Sequence, residues 1–482
     1  MMRAFELPEA FPEETAREAK RVGGLLENPG KRLDLRRKFI FTCDPVTARD
    51  YDDALSLETD RGGNRVLGVH IADVSHFVRP GTALDAEAYR RSTSVYLQNR
   101  VVPMLPEELS NGVCSLVPGE DRLAFSAFLT FDAEGRMTAR RFAKTVIRSK
   151  ARFTYEQVMG VLAGKRGALP ARQAKTVREI GKLAQQLRAN RFALGALDLE
   201  VPECAILLDD EGEMTGVEMR AYDESHQMVE ECMVAANEAV AKELWTRGVK
   251  ILARLHEPPD PEKLEELRAN LAALGVRCGD LTHGRNMVEF LGRIKNHPLA
   301  GTIAVMVLRS MKRACYSARR IGHFGLAKEH YAHFTSPIRR YPDLLLHRQL
   351  ASWIDGRGGR MDQRALDQAA EHCSAREEAA DEAERMLDEV KKYRFIEERG
   401  GEFDAVISKV AKFGVFVDVP ALAAGGLVHV SALSSRYVRF NPRTGELGDG
   451  RRTWRLGDHV PVRAVKVDWQ NRWVDFEAAD RE

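Results

Sequence analysis

The chain of 482 residues is long enough for about three average domains, or for one large catalytic domain and a small one. Hydrophobic residues make up 44% and charged residues 30%, an ordinary globular composition that excludes disordered, collagenous and coiled-coil proteins. The net charge of +2 neither indicates nor excludes a nucleic-acid partner, so such a partner has to be argued from local motifs.

The cysteines and the apolar runs predict a soluble, cytoplasmic protein. The seven cysteines are scattered and form no C-x-x-C pair, which argues against a disulfide framework and against a cysteine zinc site. No apolar run reaches the roughly 18 residues that a membrane span requires. The first 20 residues carry five glutamates and lack the apolar core of a signal peptide. We therefore expect no membrane association, and the sequence leaves protein partners undetermined.

Residues 1–38 predict a short, polar, helical lead-in. From residue 39 to residue 399, short apolar runs that predict strands are mixed with helical stretches. Two segments in this region, 128–142 and 206–219, carry the turn residues of β-hairpins. The proline-free, Glu/Ala/Arg-rich stretch at 360–399 predicts one long solvated helix or a helix pair.

The pattern changes at residue 400. Residues 400–482 hold about five short strand-like runs, which is the strand count of a small closed β-barrel. The predicted fold class is therefore α+β. It consists of a mixed α/β catalytic domain at 39–399 and a five-stranded C-terminal barrel.

The strongest local signal is a cluster of four carboxylates within ten residues of CDPVTARDYDDA (43–54), namely Asp44, Asp50, Asp52 and Asp53. Like charges this close repel, and the cost grows with burial. A divalent cation would hold them together, and all-oxygen ligands suit Mg²⁺, with Mn²⁺ as an alternative. The competing interpretations are a solvated acidic turn with Arg49 as partner and a calcium loop, although the EF-hand pattern is missing. A metal-assisted phosphoryl-transfer site is the sharper hypothesis.

Further motifs follow the aspartates in one order: GVHIADVSHFV (68–78), RSTSVYL (91–97), VPMLPEELSNGVCSL (102–116) and HFTSPIRRYPDLLLHRQL (333–350). With the aspartates they resemble the catalytic RNB domain of the ribonuclease II/R family, over roughly residues 32–398. The C-terminal segment 400–482 resembles the OB-fold of the S1 type. Its motifs are FGVFVDV (413–419) and GLVHVSAL (426–433).

The resemblance implies a processive, magnesium-dependent, hydrolytic 3′→5′ exoribonuclease that releases nucleoside 5′-monophosphates from single-stranded RNA. It also implies that the four aspartates bind metal and that Asp52 is the most critical of them for chemistry. Arg339 would grip the scissile phosphate, where a fixed guanidinium stabilises developing charge, although its neighbour Arg340 is an open alternative. Tyr155, in FTYEQV, would lie near the 3′ end of the RNA.

The same resemblance implies RNA contacts outside the aspartate cluster. Tyr96 would stack on bases without sequence preference, and Glu384 would lie near the terminal nucleotide. A core position for the two tyrosines is the alternative. In the barrel, the predicted RNA-binding residues are Phe413, Phe416, His429, Arg436 and Arg439, with a core position as an equal alternative for Phe416.

The segment 436–455 adds independent support for RNA binding, because arginines suit phosphates and aromatic faces suit bases. It holds six arginines, at 436, 439, 443, 451, 452 and 455, interleaved with Tyr437, Phe440 and Trp454.

Two departures from the family pattern stand out. About 38 residues precede the RNB-like region, too few for the cold-shock modules that usually stand there, and Ala196 occupies the place of a second base-clamping aromatic.

A catalytically inert RNA-binding or translation-linked protein that keeps the fold is the main alternative function. An unrelated magnesium phosphohydrolase acting on small phosphates is another.

Overall fold

The protein is described here by a computed structural model that covers residues 2, 4–23, 31–98, 100–197, 204–219, 222–297, 299–441, 444–469 and 472–479. The strands before the C-terminal barrel are β1 (Leu33–Asp34), β2 (Phe41–Cys43), β3 (Asp53–Thr59), β4 (Arg65–Ala72), β5 (Val95–Leu97), β6 (Arg100–Val102), β7 (Asp121–Phe131), β8 (Met137–Arg148), β9 (Ala151–Phe153), β10 (Cys204–Leu208), β11 (Met214–Met219), β12 (Ala253–Leu255) and β13 (Cys315–Ser317). The helices of this part are α1 (Glu13–Val22), α2 (Val74–Phe77), α3 (Ala83–Arg91), α4 (Tyr155–Leu162), α5 (Ala171–Ala193), α6 (Glu224–Thr246), α7 (Pro261–Ala273), α8 (Gly284–Ile294), α9 (Ala300–Ser310), α10 (Tyr341–Ile354) and α11 (Gln363–Arg399).

A mixed sheet of seven strands, counted over the described residues, forms the centre of the N-terminal body in the order β1-β8-β7-β4-β3-β2-β9. Both of its faces are covered, and β7 is therefore almost entirely buried. Helices α5 and α6 pack on one face through residues at helical spacing, such as Val177, Ile180 and Ala236. Helices α3 and α10 belong to the core on the other face, with Leu84 and Leu344.

The lead-in contains the predicted helix, α1, but it is also tied to the sheet. Strand β1 pairs in parallel with β8 at the sheet edge. Arg32, just before β1, forms a buried ion pair with Asp73 at 2.6 Å. Residues 31–38 therefore share the core of the body that follows them.

Helix α11 connects this body to the barrel as one continuous helix of 37 residues, which decides between the single helix and the helix pair. It ends at Gly400, whose φ of +57° lies in the left-handed region that favours glycine. Near its end, the hydroxyl of Tyr393 donates a hydrogen bond to the carbonyl of Arg472 at 2.6 Å. The helix thus contacts the barrel directly.

The C-terminal part is the predicted closed five-stranded barrel, in the order β14-β15-β16-β21-β20. Its elements are β14 (Glu402–Ala411), β15 (Gly414–Val419), β16 (Ala424–His429), α12 (Val430–Leu433), β17 (Arg439–Asn441), β18 (Glu446–Gly448), β19 (Thr453–Trp454), β20 (His459–Asp468) and β21 (Trp473–Ala478). Strands β17 to β19 form a small separate sheet. Across the described ranges, no helix combines the length and the apolar composition needed to cross a membrane.

Candidate active site and RNA cleft

The four aspartates lie where β2 ends and β3 begins. Asp44 follows β2, Asp53 opens β3, and Asp50 and Asp52 belong to the connection between them. Because β2 and β3 are paired, through Phe41 and Leu55, this connection gathers the carboxylates at one end of two adjacent strands. Asp52 precedes the regular strand, so its side chain is free of the strict alternation that would separate it from Asp53.

Burial dominates the electrostatics of the cluster. It raises the pKa of Asp44 to about 6, and together with the negative charge of Asp44 it raises the pKa of Asp53 to about 7. Burial also raises the pKa of Asp52 well above its usual value, against the opposing effect of Arg339. Within the described residues, the Oδ2 atom of Asp44 is buried without a hydrogen-bond partner. These carboxylates therefore repel each other when they are ionised, and one oxygen atom of Asp44 has no hydrogen-bond donor. A bound cation would compensate both.

The donor set fits a magnesium ion that is held partly by protein. In the part of the chain that the structure describes, no three His, Cys, Asp or Glu side chains form a group that could hold a metal ion by themselves. Mg²⁺ commonly takes one or two protein carboxylates and fills its remaining positions with water and substrate phosphates. Asp44 and Asp53, which repel each other, are the pair best suited to that role.

The SPIRR loop, residues 336–340, supplies one cation to the cluster. Nε of Arg339 lies 3.8 Å from Oδ2 of Asp52, and the other oxygen of Asp52 accepts a hydrogen bond from the Ile338 amide at 2.9 Å. The guanidinium of Arg340 instead binds Asp343, at 2.8 Å, on the buried side of the loop. Of the two arginines that the sequence left open, Arg339 is the one beside Asp52.

Two more of the predicted residues meet beside Asp50. The backbone amide of Tyr96 donates a hydrogen bond to Oε1 of Glu384 at 2.6 Å. The hydroxyl of Tyr96 lies 3.5 Å from Oδ2 of Asp50, and the residue is 43% exposed. Tyr96 is therefore a surface aromatic at the site, not a core residue.

Tyr155 is the first residue of α4, whose N-terminus is closed by a capping box between Thr154 and Gln157. Its ring stacks on His226 with centroids 3.9 Å apart and an interplanar angle of 15°. Burial, with a smaller effect of the nearby acidic groups, raises the pKa of its hydroxyl, which therefore stays protonated.

A cleft of about 2640 Å³ opens beside the cluster. Its lining includes the predicted residues Asp50, Tyr96, Tyr155 and Glu384. It also includes residues that the sequence did not single out, among them Arg188, Arg191, Tyr222 and His226. A groove of this size that carries aromatic rings and arginines has the chemistry of a single-strand binding site.

Arg191 is the anchor of a buried ion pair on the cleft wall. Its guanidinium contacts Glu231 at 2.5 Å and Glu230 at 3.3 Å. The two glutamates therefore lie within α6 as partners of an arginine on α5. No local pattern indicates this pairing, because about 40 residues separate the two helical segments.

The barrel presents most of its predicted RNA-binding residues to solvent. Phe413 is 50% exposed and meets the half-buried Phe416 edge to face, with centroids 6.0 Å apart. His429 is exposed and accepts a hydrogen bond from the Ser431 amide at the start of α12. Arg436 and Arg439 are exposed as well.

One aromatic prediction in the barrel is wrong. Trp454 was expected to offer its face to bases, but it is buried in the barrel core because β18 and β19 pair and place it against Leu447. Tyr437, by contrast, is 88% exposed. Arg443, which was counted among the six arginines of this segment, lies outside the described residues.

Comparison with known proteins places the chain in a family. The RNB domain model matches residues 32–356, and the S1 RNA binding domain model matches residues 397–478. Ribonuclease R of Thermotoga maritima is 41% identical over 487 residues, which cover 98% of this chain and 69% of that protein. The chain belongs to the ribonuclease R family of 3′→5′ exoribonucleases.

Solved structures share the architecture. Mycoplasma genitalium RNase R in complex with ribose-methylated single-stranded RNA matches with a TM-score of 0.92 at 27% identity, over 99% of this chain and 77% of that one. Yeast Ssd1, a pseudonuclease, matches with a TM-score of 0.73 at 21% identity, over 86% of this chain and 52% of that one. The fold alone therefore does not separate an active nuclease from an inert relative, and the site residues have to carry that distinction.

Proposed function

We propose that this exoribonuclease degrades single-stranded RNA processively, by magnesium-assisted hydrolysis that releases nucleoside 5′-monophosphates. The observation that carries the proposal is the approach of Asp52 and Arg339, at 3.8 Å, beside a cleft that Tyr96 and Tyr155 line. We assign the chemical step to residues 39–399 and RNA capture chiefly to the barrel at 400–482.

Within the site, Asp44 and Asp53 would hold Mg²⁺, or Mn²⁺ in its place, with Asp50 and Asp52 completing the acidic set. A bound Mg²⁺ supplies activation of water and stabilisation of the leaving oxygen. The guanidinium of Arg339, already held beside Asp52, binds the oxygens of the scissile phosphate and stabilises the charge that develops there.

Aromatic rings and charged groups position the RNA. The Tyr155 ring, supported by its stack on His226, offers a flat face beside the cluster for the 3′-terminal nucleotide. Tyr96 stacks on a base beside Asp50, and Glu384 holds the strand that carries Tyr96. In the barrel, Phe413 and Phe416 suit bases, whereas His429, Arg436 and Arg439 suit the phosphate backbone.

Single-stranded RNA is the preferred substrate in this proposal because each of these contacts needs an unpaired base or a flexible backbone. The similar M. genitalium enzyme has been solved with ribose-methylated single-stranded RNA and also with double-stranded RNA, so the choice rests on the contacts named above. The seven cysteines, all of them in the described ranges, are free thiols, which fits a reducing cytoplasm.

The inert RNA-binding alternative is favoured by the likeness to yeast Ssd1. The four aspartates and Arg339 are all present, however, and an inert protein has no need of partly buried like charges that cost stability. We therefore rank the nuclease first.

The test is the product pattern from single-stranded RNA that is labelled at its 5′ end and, in a parallel sample, along its whole length, with Mg²⁺ and with a chelator. Processive exonuclease action predicts full-length RNA and a short end product with few intermediates, together with nucleoside 5′-monophosphates, only when Mg²⁺ is present. Binding without shortening would indicate the inert alternative. Internal cleavage products would contradict the exonuclease proposal.

A further inference from the structure

A second carboxylate, Asp343, holds the loop that carries Arg339. Asp343 is completely buried in the first turn of α10. Its Oδ1 atom accepts one hydrogen bond from the amide of Ser336 and another from Nη2 of Arg340, both at 2.8 Å. One oxygen atom therefore joins the two ends of the segment 336–340.

The backbone between these two ends forms a tight turn. The carbonyl of Ser336 accepts hydrogen bonds from the amides of Arg339, at 3.3 Å, and Arg340, at 2.9 Å. The hydroxyl of Ser336 accepts a third, at 3.0 Å, from the guanidinium of Arg339. The Arg339 side chain is 41% exposed, so packing does little to hold it, and its aim depends on this turn.

The same loop supports the strand that carries Tyr96. The carbonyl of Arg339 accepts hydrogen bonds from the amide of Ser94 at 3.0 Å and from the hydroxyl of Thr93 at 3.3 Å. Residues 93 and 340 also form an isolated antiparallel bridge. A shift of the loop would thus move both Arg339, which is proposed to bind the phosphate, and the strand of Tyr96, which is proposed to stack on a base.

We propose that Asp343 and Arg340 are positioning residues, whose buried ion pair clamps the turn 336–340 so that Arg339 meets the reacting phosphate. Neither charged group needs to touch RNA: Asp343 is inaccessible, and the guanidinium of Arg340 faces Asp343. The N-terminus of α10 further favours the carboxylate of Asp343. The inference rests on the proposed role of Arg339.

The decisive experiment compares Asp343→Asn in two backgrounds, the full-length wild type and Arg339→Ala, by measuring kcat and KM on single-stranded RNA. A loop displaced by about 1 Å lowers kcat by about 100-fold. We expect a loss of that order in the wild type, with KM nearly unchanged. In the Arg339→Ala background the same substitution should lower kcat less than about twofold, because the group that it positions is already gone.

Equal losses in both backgrounds would overturn the inference, as would a loss confined to KM. If Arg339→Ala itself leaves kcat unchanged, the proposed function of Arg339 fails and this inference fails with it. If Arg339→Ala is slow but Asp343→Asn is fast, only the inference fails. The two failures are thereby distinguishable.

Two further variants control for folding. Glu243→Gln removes a carboxylate that is similarly paired, to Arg140 at 2.8 Å and to Arg247 at 3.0 Å, near the C-terminal end of α6. It should lower Tm without lowering kcat. Should Asp343→Asn not fold, Arg340→Lys keeps the positive charge and loses the planar fork. It should show the same loss of kcat and the same dependence on Arg339, and wild-type kcat in Arg340→Lys would overturn the inference.

Discussion

Asp52 accepts a hydrogen bond from the amide of Ile338 at 2.9 Å, although 286 residues separate the two positions in the chain. This bond joins the aspartate connection to the SPIRR loop, so that the positions of the two segments are coupled. Preorganised charge of this kind is effective because it needs no rearrangement during the reaction. The proposed site thus joins two distant segments of the chain, and each substitution in it is to be tested separately for effects on chemistry, binding and stability.

Replacing Arg339 by alanine should lower kcat by about 100-fold, equivalent to about 3 kcal/mol of transition-state stabilisation. RNA affinity and Tm should change little, because the side chain is partly exposed. Steady-state kinetics and thermal unfolding test this.

The neighbouring Arg340→Ala is the matched comparison. It leaves the buried Asp343 carboxylate without its cation, and such a loss costs about 3–5 kcal/mol of unfolding free energy. It should therefore lower Tm, which Arg339→Ala should not, and it should also lower kcat because the turn 336–340 loses its clamp. An unchanged Tm in Arg340→Ala, with a pure binding defect in Arg339→Ala, would reverse the two assignments.

Magnesium should stabilise the protein more at pH 8 than at pH 5.5. The pKa values of Asp44 and Asp53, about 6 and about 7, lie above the usual 3.8. In the metal-free protein the folded state thus holds more protons than the unfolded state. The contribution of this pair to stability is complete below about pH 3.8 and is lost as the pH rises through 6 to 7.

Above that range both carboxylates are ionised and can bind a cation. At lower pH they are protonated, and the cation has to displace these protons in order to bind. The measurement is the rise in Tm on adding Mg²⁺ at each pH. Asp53→Asn should shrink the rise at pH 8. A rise that is the same at both pH values, and unaffected by Asp53→Asn, would argue against a metal at this pair.

Tyr96→Ala should weaken binding of single-stranded RNA by about 1–3 kcal/mol, the range for loss of one base–aromatic stack. Tyr96→Phe keeps the ring and the hydrogen bond from the backbone amide to Glu384, so its affinity for RNA should stay close to that of the wild type. Fluorescence anisotropy with a labelled oligonucleotide measures both. Equal weakening by the two variants would show that the hydroxyl beside Asp50, not the ring, is what matters.

Arg436→Ala combined with Arg439→Ala should make RNA binding less sensitive to salt. Each lost phosphate contact reduces the slope of log K against log salt by about 0.7 for single strands, so the pair should reduce it by about 1.4. Arg463→Ala, on β20, is the control, because that arginine is engaged with Glu402 at 2.5 Å. Equal changes in the control and the double variant would indicate a general charge effect.

Substitution is preferable to deletion of the barrel in this experiment. Ile206 and Met214, from the β10–β11 hairpin, and Tyr393 and Ile396, from α11, belong to the same apolar core as the barrel. Removing residues 400–482 would expose them to water.

The elements with strong local signals could be predicted from the sequence. Strand alternation and turn residues indicated the β7–β8 and β10–β11 hairpins and the five-stranded barrel, and carboxylate spacing located the aspartate cluster. The sequence could not decide which of Arg339 and Arg340 faces the scissile phosphate. Neighbours in a loop differ only in their tertiary partners, and the partner of Arg340 is Asp343. The orientation of Trp454 depended on strand pairing that its neighbours in the sequence do not encode.

Long-range contacts account for most of what the sequence left undetermined. Tyr96 and Glu384 are 288 residues apart, and their hydrogen bond follows from the packing of α11 against β5. The stack of Tyr155 on His226 likewise joins two helices that no local pattern brings together.

The most direct test of the central claim compares Asp52→Asn with the wild type under single-turnover conditions in Mg²⁺, with RNA affinity measured on the same samples. Loss of the carboxylate that completes the acidic set and faces Arg339 predicts a rate at least about 100-fold slower. RNA affinity should remain near the wild-type value, because the arginines and aromatic rings are untouched. Release of mononucleotides by Asp52→Asn at close to the wild-type rate would contradict the assignment of this cluster as the site of hydrolysis.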